Sequence, residues 1–152
     1  AVTVVPDGLR AAVEVLAARG IPVAIVGRDL QCPLRLDYET PHKLGADRWI
    51  GALAAHRRFG AAITVDCGSA TTVNLVDAAG TFRGGAIAPG LRALGLGMAQ
   101  VTPHLPRAEA EHAERLPARS SAAAVHAGVA YAFCGAIERL VAELLEIGRA
   151  HV

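Results

Sequence analysis

The segment Val65–Gly90, VDCGSATTVNLVDAAGTFRGGAIAPG, holds a strand, tight turn, strand, tight turn, strand and helix start in succession. An apolar run, Ala61–Val65, leads into Asp66. A small-residue turn follows at Cys67, Gly68 and Ser69. A second apolar run covers Thr71–Val76, a turn falls at Asp77–Gly80, and a third stretch closes on Gly84-Gly85 and Pro89-Gly90. Alternating runs bounded by Gly, Asp and Pro are hairpin signals.

The residue types in this segment suit an oxyanion. Asp66, at the end of a buried strand, can hold a cation directly or through water, and triphosphates travel with cations. Gly68 lets the backbone turn and lets amide groups approach an anion with no Cβ in the way. Ser69 adds a hydroxyl donor. Gly84, Gly85, Pro89 and Gly90 leave bare backbone before a helix N-terminus, itself an anion site. The competing reading is a plain hairpin whose Asp-x-Gly is turn chemistry. The whole ordered run favours the phosphate cradle.

Outward from this hairpin the elements alternate. Leu9, Val13 and Leu16 at helical spacing predict a helix over Pro6–Arg19, stopped by Gly20. Pro22–Val26 is expected as a short buried strand, and Arg28–His42 as irregular. Asp47–Arg58 is expected as a helix with Ile50, Leu53 and Ala54 inward and Arg57 and Arg58 in its last turn, where cations suit the dipole. Leu91–Val101 is a helix of the second domain. Pro103–Arg119 is a polar loop with one or two helical turns, its alternating charges forming a solvated face. Ser121–Glu146 is expected as a long helix bent near Gly135. The domain boundary is placed near Gly60, giving domains over 1–60 and 61–146.

Composition narrows the class. The 152 residues are 53% hydrophobic and 19% charged, so a folded core is expected and disorder is not. Aromatics are only 4%, with alanine as the main filler, a mark of base composition more than of function. A net charge of +1 gives no electrostatic basis for nucleic acid or an acidic membrane surface. Cys32, Cys67 and Cys134 are odd in number and far apart, which fits a reducing cytoplasm. AVTVVPDGLR has no basic leader pattern. The longest apolar run, Ala122–Ile137, is shorter than the ~20 residues a bilayer requires. The six histidines show no paired metal-ligand spacing, and His126 is expected to pack within or between chains. Ile147–Val152 reads as a non-native tail, since EIGRAHV can be written as a sequencing adapter read in frame. A natural ending with Gly148 as helix C-cap is the other reading.

A second constellation lies upstream: Tyr38, Thr40, Pro41, then Gly45-Ala46-Asp47-Arg48 where a loop enters a helix. Alone, Asp47 is an ordinary N-cap, Arg48 a solvated first-turn residue and Tyr38 a surface anchor. The alternative is chemical. An aspartate can accept a hydroxyl proton, and a neighbouring arginine can bind a carboxylate or phosphate.

YETPHKLGADR (Tyr38–Arg48), then DCGSATT (Asp66–Thr72), then GGAIAPGLRAL (Gly84–Leu94) resembles, in this order, the type III pantothenate kinases. Leu105-Pro106 and the pair Ser121 and Gly128 extend the match. The resemblance implies an α/β, actin-like (ribonuclease H-like) two-lobed fold, here incomplete. It implies ATP-dependent phosphorylation of pantothenate to phosphopantothenate, the first step of coenzyme A biosynthesis. Asp47 is then the catalytic proton acceptor, with Tyr38, Gly45, Ala46, Arg48 and Ser121 at the pantothenate. Asp66 holds a monovalent cation (K+ or NH4+), Gly68 and Ser69 face ATP, and Mg2+ accompanies the nucleotide. The resemblance further implies a cytoplasmic homodimer in which Ser121 can serve the partner's site.

The chain departs from the family pattern in places. Serine stands at 69 and 121 where the family usually has threonine, keeping the hydroxyl and losing a methyl. Cys67 replaces a frequent phenylalanine and reads as a small packed residue. The family's opening Asp-x-Gly-Asn-Thr-type phosphate loop and its closing strand-and-glycine elements are not in the sequence. The expectation is therefore an internal fragment with little kinase activity by itself. Two other functions stay open: a non-catalytic actin-like regulator, disfavoured by the presence of Asp47, and an actin-like phosphotransferase with another acceptor, disfavoured by the GADR turn.

Overall fold

The computed structural model describes residues 6–108 and 115–150. Its elements are α1 (Pro6–Ala18), β1 (Arg35–Leu36), α2 (Ala46–Phe59), β2 (Ala62–Cys67), β3 (Ala70–Val76), β4 (Thr81–Pro89), α3 (Leu91–Val101) and α4 (Ser121–Ala150). The fold is mixed α/β around a four-stranded sheet of order β1-β4-β3-β2. The three strands expected over Ala61–Ala88 are β2, β3 and β4. Neighbouring strands joined by such short turns run antiparallel, whereas β1 pairs parallel to β4, with Arg35 opposite Thr81 and Leu36 opposite Phe82.

The described residues fall into two compact units. One comprises residues up to Ala62 together with Leu75–Gly84. The other comprises Ile63–Asn74 together with the residues from Gly85 onward. β3 and β4 each contribute to both.

The first unit is built on Leu34, Ala52, Val76 and Phe82, with Cys32, Leu36, Tyr38, Leu44, Leu53 and Ala62 packed against them. Burial of such side chains is the main term holding it together, at ~1.5–3 kcal/mol each. The β3–β4 turn is closed by Asp77. Its main-chain N–H donates to the Thr81 carbonyl at 3.0 Å, and its carboxylate accepts the Thr81 N–H at 2.8 Å.

Several expectations change here. Pro22–Val26 is not a strand. The Ile25 carbonyl accepts N–H groups of Arg28, Asp29 and Leu30, and the Asp29 carboxylate takes the Ile25 N–H at 2.8 Å. A local turn thus uses the groups a sheet would need, leaving one bridge between Val26 and Leu30. Within the stretch expected to be irregular stand β1 and a single 3-10 turn, Pro41–Lys43. The buried face of α2 is Arg48, Trp49 and Ala52, while Ala54 is exposed. The bulky Trp49 rotates the inward face away from the one that aliphatic spacing suggested.

In the second unit Val73 and Thr71 are fully buried, and Val125, Ala127 and Val129 are the buried apolar residues of α4 among those described. α3 packs against α4. α4 runs unbroken past Gly135 and through Gly148 to Ala150, so it outlasts the expected end at Glu146 and Gly148 does not cap it. Residues 103–108 and 115–120 are neither helix nor strand, and the rest of the expected Pro103–Arg119 loop lies outside the described residues. His126 is half-buried, its Nε2 lying 3.2 Å from the Arg107 carbonyl oxygen. Among the described residues no helix is long and apolar enough to cross a membrane.

Candidate active site

The residues expected at the acceptor gather in the first unit. Gly45, not Asp47, occupies the N-cap of α2, and no side chain caps the helix. Asp47 lies in the first turn, where a negative charge suits the helix dipole. Its carboxylate folds back over the N-cap: a Cβ at residue 45 would stand 2.6 Å from Asp47 Oδ1. Glycine at 45 is therefore needed for the position of this acid, at an ordinary φ of −57°.

The next residue does the opposite. Asp47 is exposed, whereas Arg48 is only 7% exposed. Arg48 Nη1 donates to the Tyr38 hydroxyl at 3.3 Å. Its guanidinium carbon lies 5.8 Å from the centre of the Tyr38 ring and 5.7 Å from that of Phe82. Tyr38 and Phe82 meet edge to face with centroids 6.0 Å apart. A buried cation is costly unless hydrogen-bonded or set against aromatic faces, and Arg48 has both. The loop-to-helix turn thus separates an outward acid from an inward arginine, so Arg48 is not the solvated residue its position alone suggests.

The residues expected at the phosphates lie in the second unit. The Gly68 N–H donates to the Ala70 carbonyl at 3.0 Å, closing a two-residue turn between β2 and β3. Asp66, Gly68 and Ser69 are all exposed on it. Gly90, buried, braces the turn from below: its N–H donates to the Ser69 carbonyl at 3.1 Å. A Cβ at residue 90 would stand 2.7 Å from the Ser69 carbonyl oxygen and closer still to that of Gly68. Gly90 is also the N-cap of α3, with no side-chain cap, so free helix N–H groups begin beside the turn. Behind it, Asn74 Nδ2 lies 3.4 Å from both Thr64 Oγ1 and Thr72 Oγ1.

Among the described residues no group of three or more His, Cys, Asp or Glu could hold a metal ion. The side-chain oxygens of the turn are one carboxylate and one hydroxyl, both on exposed residues. That set fits a hard cation sharing its shell with phosphate and water. It does not fit a zinc-type cage.

At the start of α4, Ser120 is the cap: its Oγ accepts the Ala123 N–H at 3.2 Å. Ser121 is the first helical residue and is exposed, which leaves its hydroxyl outside the cap. Of the site residues expected from sequence, Tyr38 and Arg48 are brought into contact, Gly45 and Asp47 are in contact, and Asp66, Gly68 and Ser69 share one turn. Sequence reasoning missed Phe82, which lies beneath both Tyr38 and Arg48. Its inward place in an alternating strand was the available signal.

The model of the type III pantothenate kinase family matches residues 1–143. Among curated proteins, the chain is 39% identical over 128 residues to the type III pantothenate kinase of Rubrobacter xylanophilus, covering 83% of this chain and 48% of that protein. It is 36% identical over 144 residues to the enzyme of Nocardia farcinica, covering 93% and 54%, and 34% identical over 145 residues to that of Listeria innocua, covering 93% and 56%. The chain spans about half the length of the curated relatives it matches. A crystal structure from Campylobacter jejuni assigned to the Baf family of transcriptional activators has a similar fold, with a TM-score of 0.51 and 23% identity over 72% of this chain and 50% of that one. The chain belongs to the type III pantothenate kinase family.

Proposed function

We propose that this chain carries the acceptor side, and part of the nucleotide side, of an enzyme that transfers the γ-phosphoryl group of ATP to pantothenate. The observation that carries this reading is the Gly45–Arg48 turn, where an exposed carboxylate stands beside an arginine locked onto Tyr38. Asp47 accepts the proton of the primary hydroxyl as its oxygen attacks the γ-phosphorus. The bond from that phosphorus to the β–γ bridging oxygen breaks, and ADP leaves. Arg48, Tyr38 and Ala46 border the acceptor, and the Ser121 hydroxyl is a further contact to it. The Gly68 and Ser69 backbone and the Ser69 hydroxyl face the phosphates. Asp66 would hold a monovalent cation, K+ or NH4+, which together with nucleotide-bound Mg2+ supplies charge neutralisation at the phosphates. Positioning and electrostatics provide most of the acceleration in such transfers.

The same reading places the chain in an actin-like, two-lobed fold, with 1–60 in the first lobe and 61–146 in the second, in a cytoplasmic homodimer. The test is an acceptor panel on the complete protein, with ADP release measured against pantothenate, hexoses and acetate. Turnover with pantothenate alone, stimulated by K+ or NH4+, is expected. Turnover with another acceptor and none with pantothenate overturns the reading.

A further inference from the structure

We propose that Arg83 is a positioning residue for the acceptor side, acting through Asp37 to set where the Tyr38 ring stands. This rests on the pantothenate reading above. β1 is only two residues long, and its ladder to β4 ends with the Asp37 N–H donating to the Phe82 carbonyl at 3.0 Å. So short a ladder leaves the following residue, Tyr38, weakly held by main chain alone.

Arg83 continues the attachment where the ladder stops. Its Nε donates to Asp77 Oδ2 at 2.8 Å, and its Nη1 donates to Asp37 Oδ2 at 2.9 Å. The two ends of this fork differ. The Asp77 side chain is 6% exposed and its other oxygen accepts the Thr81 N–H, so that end is anchored. Burial pushes the Asp77 carboxyl up, but the Thr81 N–H, the Arg83 guanidinium and the Ala79 N–H outweigh it and hold the group below its ordinary value. The Asp37 side chain is 65% exposed, and it gains its fixed position from Arg83.

Tyr38 then leans on the residues flanking Arg83. Phe82 meets its ring edge to face, and the bare Cα of Gly84 faces the other part, where an added Cβ would stand 3.8 Å from Tyr38 Cδ2. Tyr38 in turn accepts the Arg48 hydrogen bond. A buried carboxylate, a forked cation and an exposed carboxylate thus connect the β3–β4 turn to the ring beside Arg48. A fork is required, because one ammonium cannot reproduce two diverging N–H groups.

The test uses the complete protein with Arg83→Met, Arg83→Lys, Asp37→Ala and Asp37→Asn. Two readouts are taken: KM for pantothenate against KM for ATP, and the 19F resonance of 3-fluorotyrosine at Tyr38, assigned by its loss in Tyr38→Phe. Arg83→Met and Asp37→Ala should raise the pantothenate KM about fivefold, the size a partly exposed ion pair allows, with the ATP KM unchanged and the Tyr38 resonance moved. Arg83→Lys should behave as Arg83→Met does. Asp37→Asn, which keeps an acceptor oxygen, should stay near the parent. An unmoved Tyr38 resonance, or both KM values rising in parallel, overturns the proposal. If Arg83→Met does not fold, Asp37→Ala at its exposed position carries the same test. Failure of the unsubstituted protein to phosphorylate pantothenate would refute the kinase reading, while the Tyr38 resonance would still decide the clamp.

Discussion

Gly90→Ala should disable the nucleotide side while leaving the acceptor side intact. The added Cβ would lie 2.7 Å from the Ser69 carbonyl oxygen and nearer to that of Gly68, and real Cβ atoms essentially never come within 3.0 Å of a neighbour. Both obstacles are main chain, so no side chain can swing away. The turn bearing Asp66 and Ser69 must retreat, by on the order of 1 Å, and a displacement of that size costs roughly 100-fold in rate. Overpacking adds a stability cost of about 1–3 kcal/mol. The assay is ADP release by the complete protein with ATP varied at saturating pantothenate, beside a thermal melt. The control is Gly97→Ala, in α3 with nothing within 4 Å of the added methyl. That change should be neutral or raise stability by up to ~1 kcal/mol through helix propensity. Gly90→Ala with kcat/KM for ATP within threefold of the parent would refute the argument that Gly90 sets the turn.

Gly45→Ala should displace the Asp47 carboxylate, because its methyl would occupy space 2.6 Å from Oδ1. Steady-state kinetics on the complete protein should show kcat down about tenfold or more, with ATP affinity retained. Acid stability should depend on Asp29. The Arg28 guanidinium and then the Ile25 N–H hold its carboxyl at about 2. A group with a depressed native value stabilises the fold above its unfolded value of about 3.9, and that contribution fades as pH falls towards the native one. The Tm advantage of the parent over Asp29→Asn should therefore be constant above pH 5 and shrink between pH 4 and 2. A constant gap down to pH 2 would contradict the assignment.

Much of the fold was legible because its signals are local. The β2–β3–β4 meander is written in alternation and in the turns at Gly68-Ser69 and Asp77–Gly80. Helix α1 follows from its apolar spacing and the Gly20 stop, and α3 from its Pro89-Gly90 start. What escaped depends on partners distant in sequence. β1 has too few residues for any periodicity and exists because Phe82 and Thr81 offer it a parallel edge. Pro22–Val26 has strand composition, but Asp29 captures the Ile25 N–H. In α2 a tryptophan and a buried arginine outweigh the aliphatic stripe.

The site was legible in identity more than in construction. Asp47 beside a glycine reads as a cap, yet the cap is Gly45 and the acid is held above it. Ser120 and Ser121 are adjacent serines, and only the hydrogen bond to Ala123 shows which one the helix uses. The bracing of the Gly68-Ser69 turn by Gly90 is a backbone approach, invisible in residue type beyond the glycine itself.

The central claim is that Asp47 is the proton acceptor. Its most direct test is single-turnover phosphoryl transfer to pantothenate by the complete protein carrying Asp47→Asn, with ATP binding measured in parallel. The amide keeps the shape and cannot accept the proton. The rate should fall by about 100- to 10,000-fold with ATP affinity unchanged. A transfer rate within a few-fold of the parent would contradict it.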